Sequence, residues 1–355
     1  MSRPNFEVLR QTLLGGRGPY VPLFELIVDR SLKAALLGRP VETPRDEVDF
    51  ARLAGYDYVL FSPRLDFAPE LAQEDGATHV RDRADHSGTR VWAEEGSGIF
   101  RSIRDVENFP WPSPDELDWS RLAELEKALP PDMGIVAQYG DIFTWSWRFL
   151  GFEQFSFALA EQPALVEAVF ERIGEIELEL FRRMAASPKV GALFYSDDIA
   201  YSSGLMVSPV VLRKYLFPWI RKIGELAGER ELPFIYHSDG DLRLVLDELL
   251  ELGIHALHPI EPKSMDILEL KRRYGSRLCL CGNVDVDLLA RGKPEDIRRQ
   301  VAWLIENVGR LGGYCLGSGN SVPEYVPLEN YRAMIETAIE LGTFEPEGRL
   351  HPGTE

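Results

Sequence analysis

The sequence predicts an α/β protein built as a single (β/α)8 TIM barrel, with an N-terminal helix and an insertion between strands 2 and 3. Three observations predict it. Short apolar runs recur eight times along the 355 residues. Amphipathic stretches with helical spacing lie between them, the alternation expected of a parallel sheet wrapped in helices. No Gly-rich phosphate turn follows the first run, which argues against a doubly wound open sheet. The barrel is expected over residues 1–345, with the insertion at about 65–130 and a flexible tail at 346–355.

The eight runs are residues 21–27 (VPLFELI), 58–61 (YVLF), 135–139 (IVAQY), 192–195 (ALFY), 234–237 (FIYH), 256–260 (ALHPI), 278–281 (LCLC) and 314–316 (YCL). Continuous apolar runs of this length suit strands buried on both faces. Residues 163–183 and 208–227 read as helices, the second opening with Ser208 as N-cap and Pro209 at the first helical position. Gly55, Gly253 and Gly275 each stand shortly before a run, where a helix has to stop. About seventy residues separate the second and third runs, far more than an ordinary connection. Within them, RVWAEEGSGIFRSI (residues 90–103) reads as a β-hairpin turning near Gly96. FPWPSPDELDW (residues 109–119) reads as a proline-punctuated connector ahead of a helix. Such an excursion serves as a lid, a substrate wall or plain decoration.

Composition narrows the function. The net charge is −18, with 57 acidic against 39 basic residues and no basic patch. Phosphate backbones and anionic membrane surfaces are therefore disfavoured partners. The only cysteines are Cys279, Cys281 and Cys315, which is no disulfide framework. The N-terminus lacks a signal-peptide layout and no apolar run reaches membrane length. A cytoplasmic protein acting on a small molecule is expected, and a homodimer stays open.

In (β/α)8 enzymes the chemistry sits at the C-terminal ends of the strands. Those ends here carry Glu25 and Asp29, Ser62 and Arg64, Gln138, Tyr139 and Asp141, then Asp197 and Asp198. They continue with His237, Asp239 and Asp241, His258 and Glu261, Asn283 and Asp285, and Ser318 and Asn320. So many carboxylates on one face need a cation, shared protons or substrate donors. His237-Ser238-Asp239 carries most weight, because residues two apart on an extended strand point to one side. The pair can bind a metal, act as acid and base, or serve structurally with Asp239 as a cap. Of Asp197 and Asp198, at most one faces the mouth. Glu261, between prolines in HPIEP, reads as a ligand, a base or a solvated carboxylate. Trp145 and Trp147 follow the third run; one can floor an apolar pocket, or both can pack helices. Cys279-x-Cys281 shares a face, which suits a soft metal, yet inside an apolar run cysteine acts as a small hydrophobe.

Four stretches then carry a resemblance: SDDIAYSSGLMVSPVVLRKYLFPWIRKI (196–223), GIHALHPIEPKSMDILELKRRYG (253–275), CGNVDVDLLARGKPEDIRRQV (281–301) and GGYCLGSGNSVPEYVPLENYRAMIE (312–336). In their order they resemble the uroporphyrinogen decarboxylase superfamily, from about residue 5 to 341. It unites decarboxylases of porphyrin biosynthesis and cobamide-dependent methyltransferases on a (β/α)8 barrel. The decarboxylases carry Arg-Gln-Ala-Gly-Arg after the first strand, where this chain reads FELIVDRSL, with Arg30 and Glu25. The thiol methyltransferases carry a zinc-binding His-x-Cys after the fifth strand and a later cysteine. Here His237-Ser238-Asp239 and Asn320 stand in those places.

The resemblance implies three readings. In the first, a methyltransferase moves a methyl group between a small methylated substrate and a corrinoid protein. It uses a divalent ion such as Zn²⁺ on His237, Asp239 and either Glu261 or Glu25, or an acid/base pair at His237 and Asp239. In the second, a metal-independent decarboxylase uses Asp197 or Asp198. The third is a ligand-binding barrel without catalysis. Glu25, Arg64, Tyr139, Trp145, Asn283 and Asn320 are the expected substrate contacts.

Overall fold

The computed structural model describes residues 4–65, 67 and 98–344. Seven parallel strands form one sheet in sequential order. They are β1 (Tyr58–Phe61), β2 (Gly134–Gly140), β3 (Val190–Ser196), β4 (Phe234–His237), β5 (Ala256–Ile260), β6 (Cys279–Val284) and β7 (Tyr314–Ser318). Every residue of β2, β4, β5, β6 and β7 is buried, as strands covered on both faces require. Sequential parallel strands need a crossover between each pair, and helices supply it. Pro163–Ala185 lies between β2 and β3, and Pro294–Asn307 between β6 and β7.

Local chemistry sets the helix ends. Thr43 and Asp46 form a capping box at Pro44–Ala54, and Gly55 ends that helix at φ 88°. Pro209 opens the helix after β3 as expected, but the turn at Leu212–Leu216 widens to a π-helix before Phe217–Glu229. Pro218 has no N–H to continue the regular ladder, which accounts for the widening.

The first apolar run, residues 21–27, is not a strand of the sheet. It meets β7 through one backbone bridge, with Phe24 N–H donating to Leu316 O at 2.9 Å and Leu316 N–H to Pro22 O at 2.8 Å. On its other side a side chain stands where a ladder would run. The Tyr58 hydroxyl accepts from Glu25 N–H at 2.8 Å and donates to Glu25 O at 2.6 Å. Both backbone groups of Glu25 are thus satisfied without a partner strand.

This segment shows that the sheet curls. The Phe24 ring lies 5.0 Å from Tyr58 on β1, 5.5 Å from Phe194 on β3 and 5.6 Å from His258 on β5. In a flat sheet, strands about 4.8 Å apart would hold β3 far from a segment bridged to β7. The concave face is therefore filled by side chains.

Between β1 and β2, the turn of the expected hairpin lies outside the described residues. Its second arm is not extended throughout: Ser102 and Asp105 cap a helix at Ile103–Asn108. The connector after it leads through Pro114–Glu116 to the helix Ser120–Ala128. Phe100 stacks on Phe149 at 4.7 Å, and Phe109 and Trp111 meet that ring edge-on at 5.3 and 5.2 Å, which anchors this excursion to the helix after β2. Gly98 passes so close to Leu150 that an added Cβ would overlap its backbone. The expected tail also falls outside the described residues. No helix among the described residues is long and apolar enough to cross a membrane.

Candidate active site at the strand ends

β3 and β4 are neighbours in register, with Ser196 opposite His237. Their exits therefore lie side by side and are stitched together. Asp197 N–H donates to His237 O at 2.9 Å, and Ile199 N–H to the Ser238 hydroxyl at 3.1 Å. Gly240, at φ 88°, lets the second exit pass Ala200 and Tyr201, where a Cβ would sit 2.6 Å from the Tyr201 carbonyl. On this frame Asp198, His237 and Asp239 converge, with one donor atom from each inside 4.8 Å of the others. His237 Nε2 lies 3.6 Å from Asp198 Oδ1 and 3.9 Å from Asp239 Oδ1.

Each member is held by a neighbour. Asp198 Oδ1 accepts from Asp239 N–H at 2.8 Å. Asp239 Oδ2 accepts from Asn320 Nδ2 at 2.6 Å, a contact that spans the mouth from the loop after β7. His237 Nδ1 lies 2.8 Å from Nδ1 of His258, its register partner on β5. Burial holds His258 well below the usual imidazole range, and neighbouring His237 adds to the effect, so His258 is neutral. When His237 donates from Nδ1 to His258, its Nε2 presents a lone pair to the two carboxylates. Sequence reasoning placed His258 at a strand end but gave it no role. The signal was there in ALHPI, two strand ends whose histidines share a register.

The two aspartates of Asp197-Asp198 separate as alternation requires. Asp198 is exposed, whereas Asp197 is buried beneath the helix Ile142–Leu150. That helix has no side-chain cap of its own. Asp197 supplies it: Oδ2 accepts from Phe143 N–H and the Tyr195 hydroxyl, both at 2.6 Å. Oδ1 accepts from Thr144 N–H at 3.1 Å and the Thr144 hydroxyl at 2.8 Å. Burial pushes this carboxyl up to about 6 against the pull of those bonds.

The remaining sequence-selected residues lie around this group. Glu261 accepts from the Ser264 hydroxyl at 2.5 Å and is not part of the His237 cluster. With Lys263, Asp285, Asn320 and Tyr325 it lines a cleft of about 200 Å³. Asn283 donates to Ile260 O at 2.7 Å, and the Tyr139 hydroxyl to Leu65 O at 3.0 Å. Trp145 packs on Phe67 and Phe149, and Arg64 is exposed.

Glu25 is buried, with Ser318 N–H and hydroxyl donating to its two oxygens at 2.6 and 2.7 Å. Burial pushes its carboxyl from 4.5 up to about 8, with the Ser318 bonds opposing. Between these values the folded chain keeps a proton that the unfolded chain has lost, so stability falls as pH rises. The slope from this one group is at most about 1.4 kcal/mol per pH unit. Glu25→Gln, which keeps the shape but cannot ionise, is expected to gain stability relative to the parent as pH rises from 5 to 8 in urea titrations. An unchanged gap at the two pH values would mean that Glu25 is ionised throughout.

Comparison with known proteins adds context. The family model described as uroporphyrinogen decarboxylase (URO-D) matches residues 93–341. Uroporphyrinogen decarboxylase of Neisseria gonorrhoeae is 28% identical over 144 residues, 39% of this chain and 39% of that protein. The Methylococcus capsulatus enzyme is 28% identical over 184 residues, covering 51% of this chain and 50% of its own length. That of Shewanella denitrificans is 23% identical over 275 residues, 72% and 75% of the two chains. The first of these matches thus spans about two fifths of its relative's length. Among solved structures, a methyltransferase from Methanosarcina mazei superposes with a TM-score of 0.71 at 18% identity, over 94% of this chain and 97% of that one.

Proposed function

Because the chain belongs to the uroporphyrinogen decarboxylase family, we propose that it is an enzyme of that family, a methyltransferase-like member on a curled, TIM-barrel-like parallel sheet. It would move a methyl group between a small methylated substrate and a corrinoid carried by a partner protein. The observation that carries the reading is the Asp198–His237–Asp239 group at the ends of β3 and β4.

The donors fit one divalent ion with nitrogen and oxygen ligands. Ligands about 2.0–2.2 Å from a tetrahedral Zn²⁺ lie about 3.3–3.6 Å from one another, close to the 3.6 and 3.9 Å seen from His237 Nε2. Asp198 takes the place that Glu261 or Glu25 held in the sequence-based ligand set. When bound, such an ion supplies a Lewis acid that makes a substrate heteroatom a better methyl acceptor or leaving group. The chain's own residues do the positioning. His258 orients the His237 ring, Asn320 fixes one oxygen of Asp239, and the Asp239 N–H fixes Asp198. The adjacent cleft, with Glu261, Lys263 and Tyr325 on its walls, would seat a small polar substrate.

The curated relatives' name favours a second reading, decarboxylation without metal. It would have to run through Asp198, since each oxygen of Asp197 already accepts two hydrogen bonds. The acidic face also repels a polycarboxylate such as uroporphyrinogen. The test is turnover of small methylated thiols, amines and methoxy compounds with reduced cobalamin, followed by the absorbance of the methylated corrinoid. Methylation that disappears in chelator and returns with Zn²⁺ is expected. Uroporphyrinogen turnover that is indifferent to chelator would instead establish the decarboxylase.

A further inference from the structure

The three cysteines meet. Cys279 and Cys281 lie on one face of β6, and Cys315 on β7 stands in register with Cys281. All three are fully buried, and their sulfur atoms lie within 4.8 Å of one another. Cys279 Sγ is 3.9 Å from Cys315 Sγ. Zinc–sulfur bonds of about 2.3 Å place sulfurs about 3.8 Å apart around a tetrahedral ion and about 4.0 Å apart around a trigonal one. The Cys279–Cys315 spacing falls between these values, and the third sulfur lies within 4.8 Å of both.

Packed thiols also touch at this distance, and Lys271 separates the two readings. It reaches in from the helix Ile267–Tyr274, buried, with its ammonium donating to Gly312 O and, at 3.2 Å, to Gly313 O. Burial holds this ammonium below the usual lysine range, and its partners are two carbonyl oxygens just ahead of Cys315 rather than a carboxylate. A buried ammonium is costly without an anion, and thiols become that anion only on ionising.

We propose that Cys279, Cys281 and Cys315 form a second metal site, a three-sulfur nest for one divalent thiophilic ion such as Zn²⁺ or Cd²⁺. The three thiols release their protons to solvent as the ion enters, and no electron moves. The two charges of the ion and the one of Lys271 then balance three thiolates, leaving a neutral cluster in the apolar interior. Soft sulfur donors select against the hard cations that carboxylates favour. The nest involves the first residue of β6 and the second of β7, whereas the His237 group lies at strand exits. The ion therefore holds strands together and takes no part in the chemistry at the mouth.

The test uses the full chain produced with Cd²⁺ in the medium, so that the ion is present during folding. The His237→Ala/Asp239→Ala variant, emptied at the mouth, is expected to keep one equivalent of Cd²⁺ and show sulfur-to-metal charge-transfer absorption. Adding Cys279→Ser and Cys315→Ser to it is expected to abolish both. A mouth variant with intact cysteines but no retained Cd²⁺ and no such absorption overturns the proposal, whether or not the serine variant folds.

Discussion

Replacing His237 by alanine is expected to lower methyl transfer by about 10²–10⁴-fold, the range a positioned acid, base or metal-ligating imidazole contributes. The variant loses the one nitrogen donor of the group and leaves two carboxylates facing each other. Its fold should survive, because His237 is the last residue of β4 and lies at a strand exit rather than inside the sheet. The steady-state rate and the metal content of the mouth should fall together. His258→Asn gives the companion measurement. If His258 acts by orienting its neighbour, the rate falls less than in His237→Ala, and the pH profile shifts while KM holds. A His237→Ala variant with parental activity would remove His237 from the reaction altogether.

The second large effect is on stability. Asp197→Ala is expected to cost about 3–5 kcal/mol, as for a buried anion removed from its hydrogen-bonding partners. The substitution strands the N–H groups of Phe143 and Thr144 and the hydroxyls of Tyr195 and Thr144. Asp198→Ala, at an exposed side chain, is expected to stay within about 0.5 kcal/mol. Urea unfolding of the two neighbours measures the contrast. Equal small costs would mean that Asp197 is not the cap of the helix after β2. With uroporphyrinogen as substrate and chelator present, the same pair weighs the decarboxylase reading, because turnover lost with Asp198 while stability holds places that chemistry at the exposed carboxylate.

Much of this arrangement was legible in the sequence, for definite reasons. Runs such as ALFY and LCLC are apolar throughout because both faces of their strands are covered, and that pattern needs no tertiary knowledge. His237-x-Asp239 was legible because a two-residue step keeps side chains together. What could not be read depends on partners distant in sequence. Which of Asp197 and Asp198 turns inward is decided by Thr144 and Tyr195. The pairing of His237 with His258 needs the register of β4 on β5. The prolines around Glu261 left open a ligand, a base or a solvated carboxylate, and its bond with Ser264 depends on a loop turn that the sequence does not spell out. Residues 21–27 carried the composition of a strand, but Tyr58 supplies by its side chain what a ladder would have supplied by backbone.

That substitution bears on solubility. A seven-stranded parallel sheet has two edges, each a row of unpaired amides and carbonyls that can recruit another chain. Residues 21–27 guard both borders at once, meeting β7 through the Leu23–Leu316 bridge and β1 through one phenol. A tyrosine hydroxyl engages amide and carbonyl locally yet offers no template for further strands. At Tyr58, the protein shields an aggregation-prone border with a group that cannot propagate it.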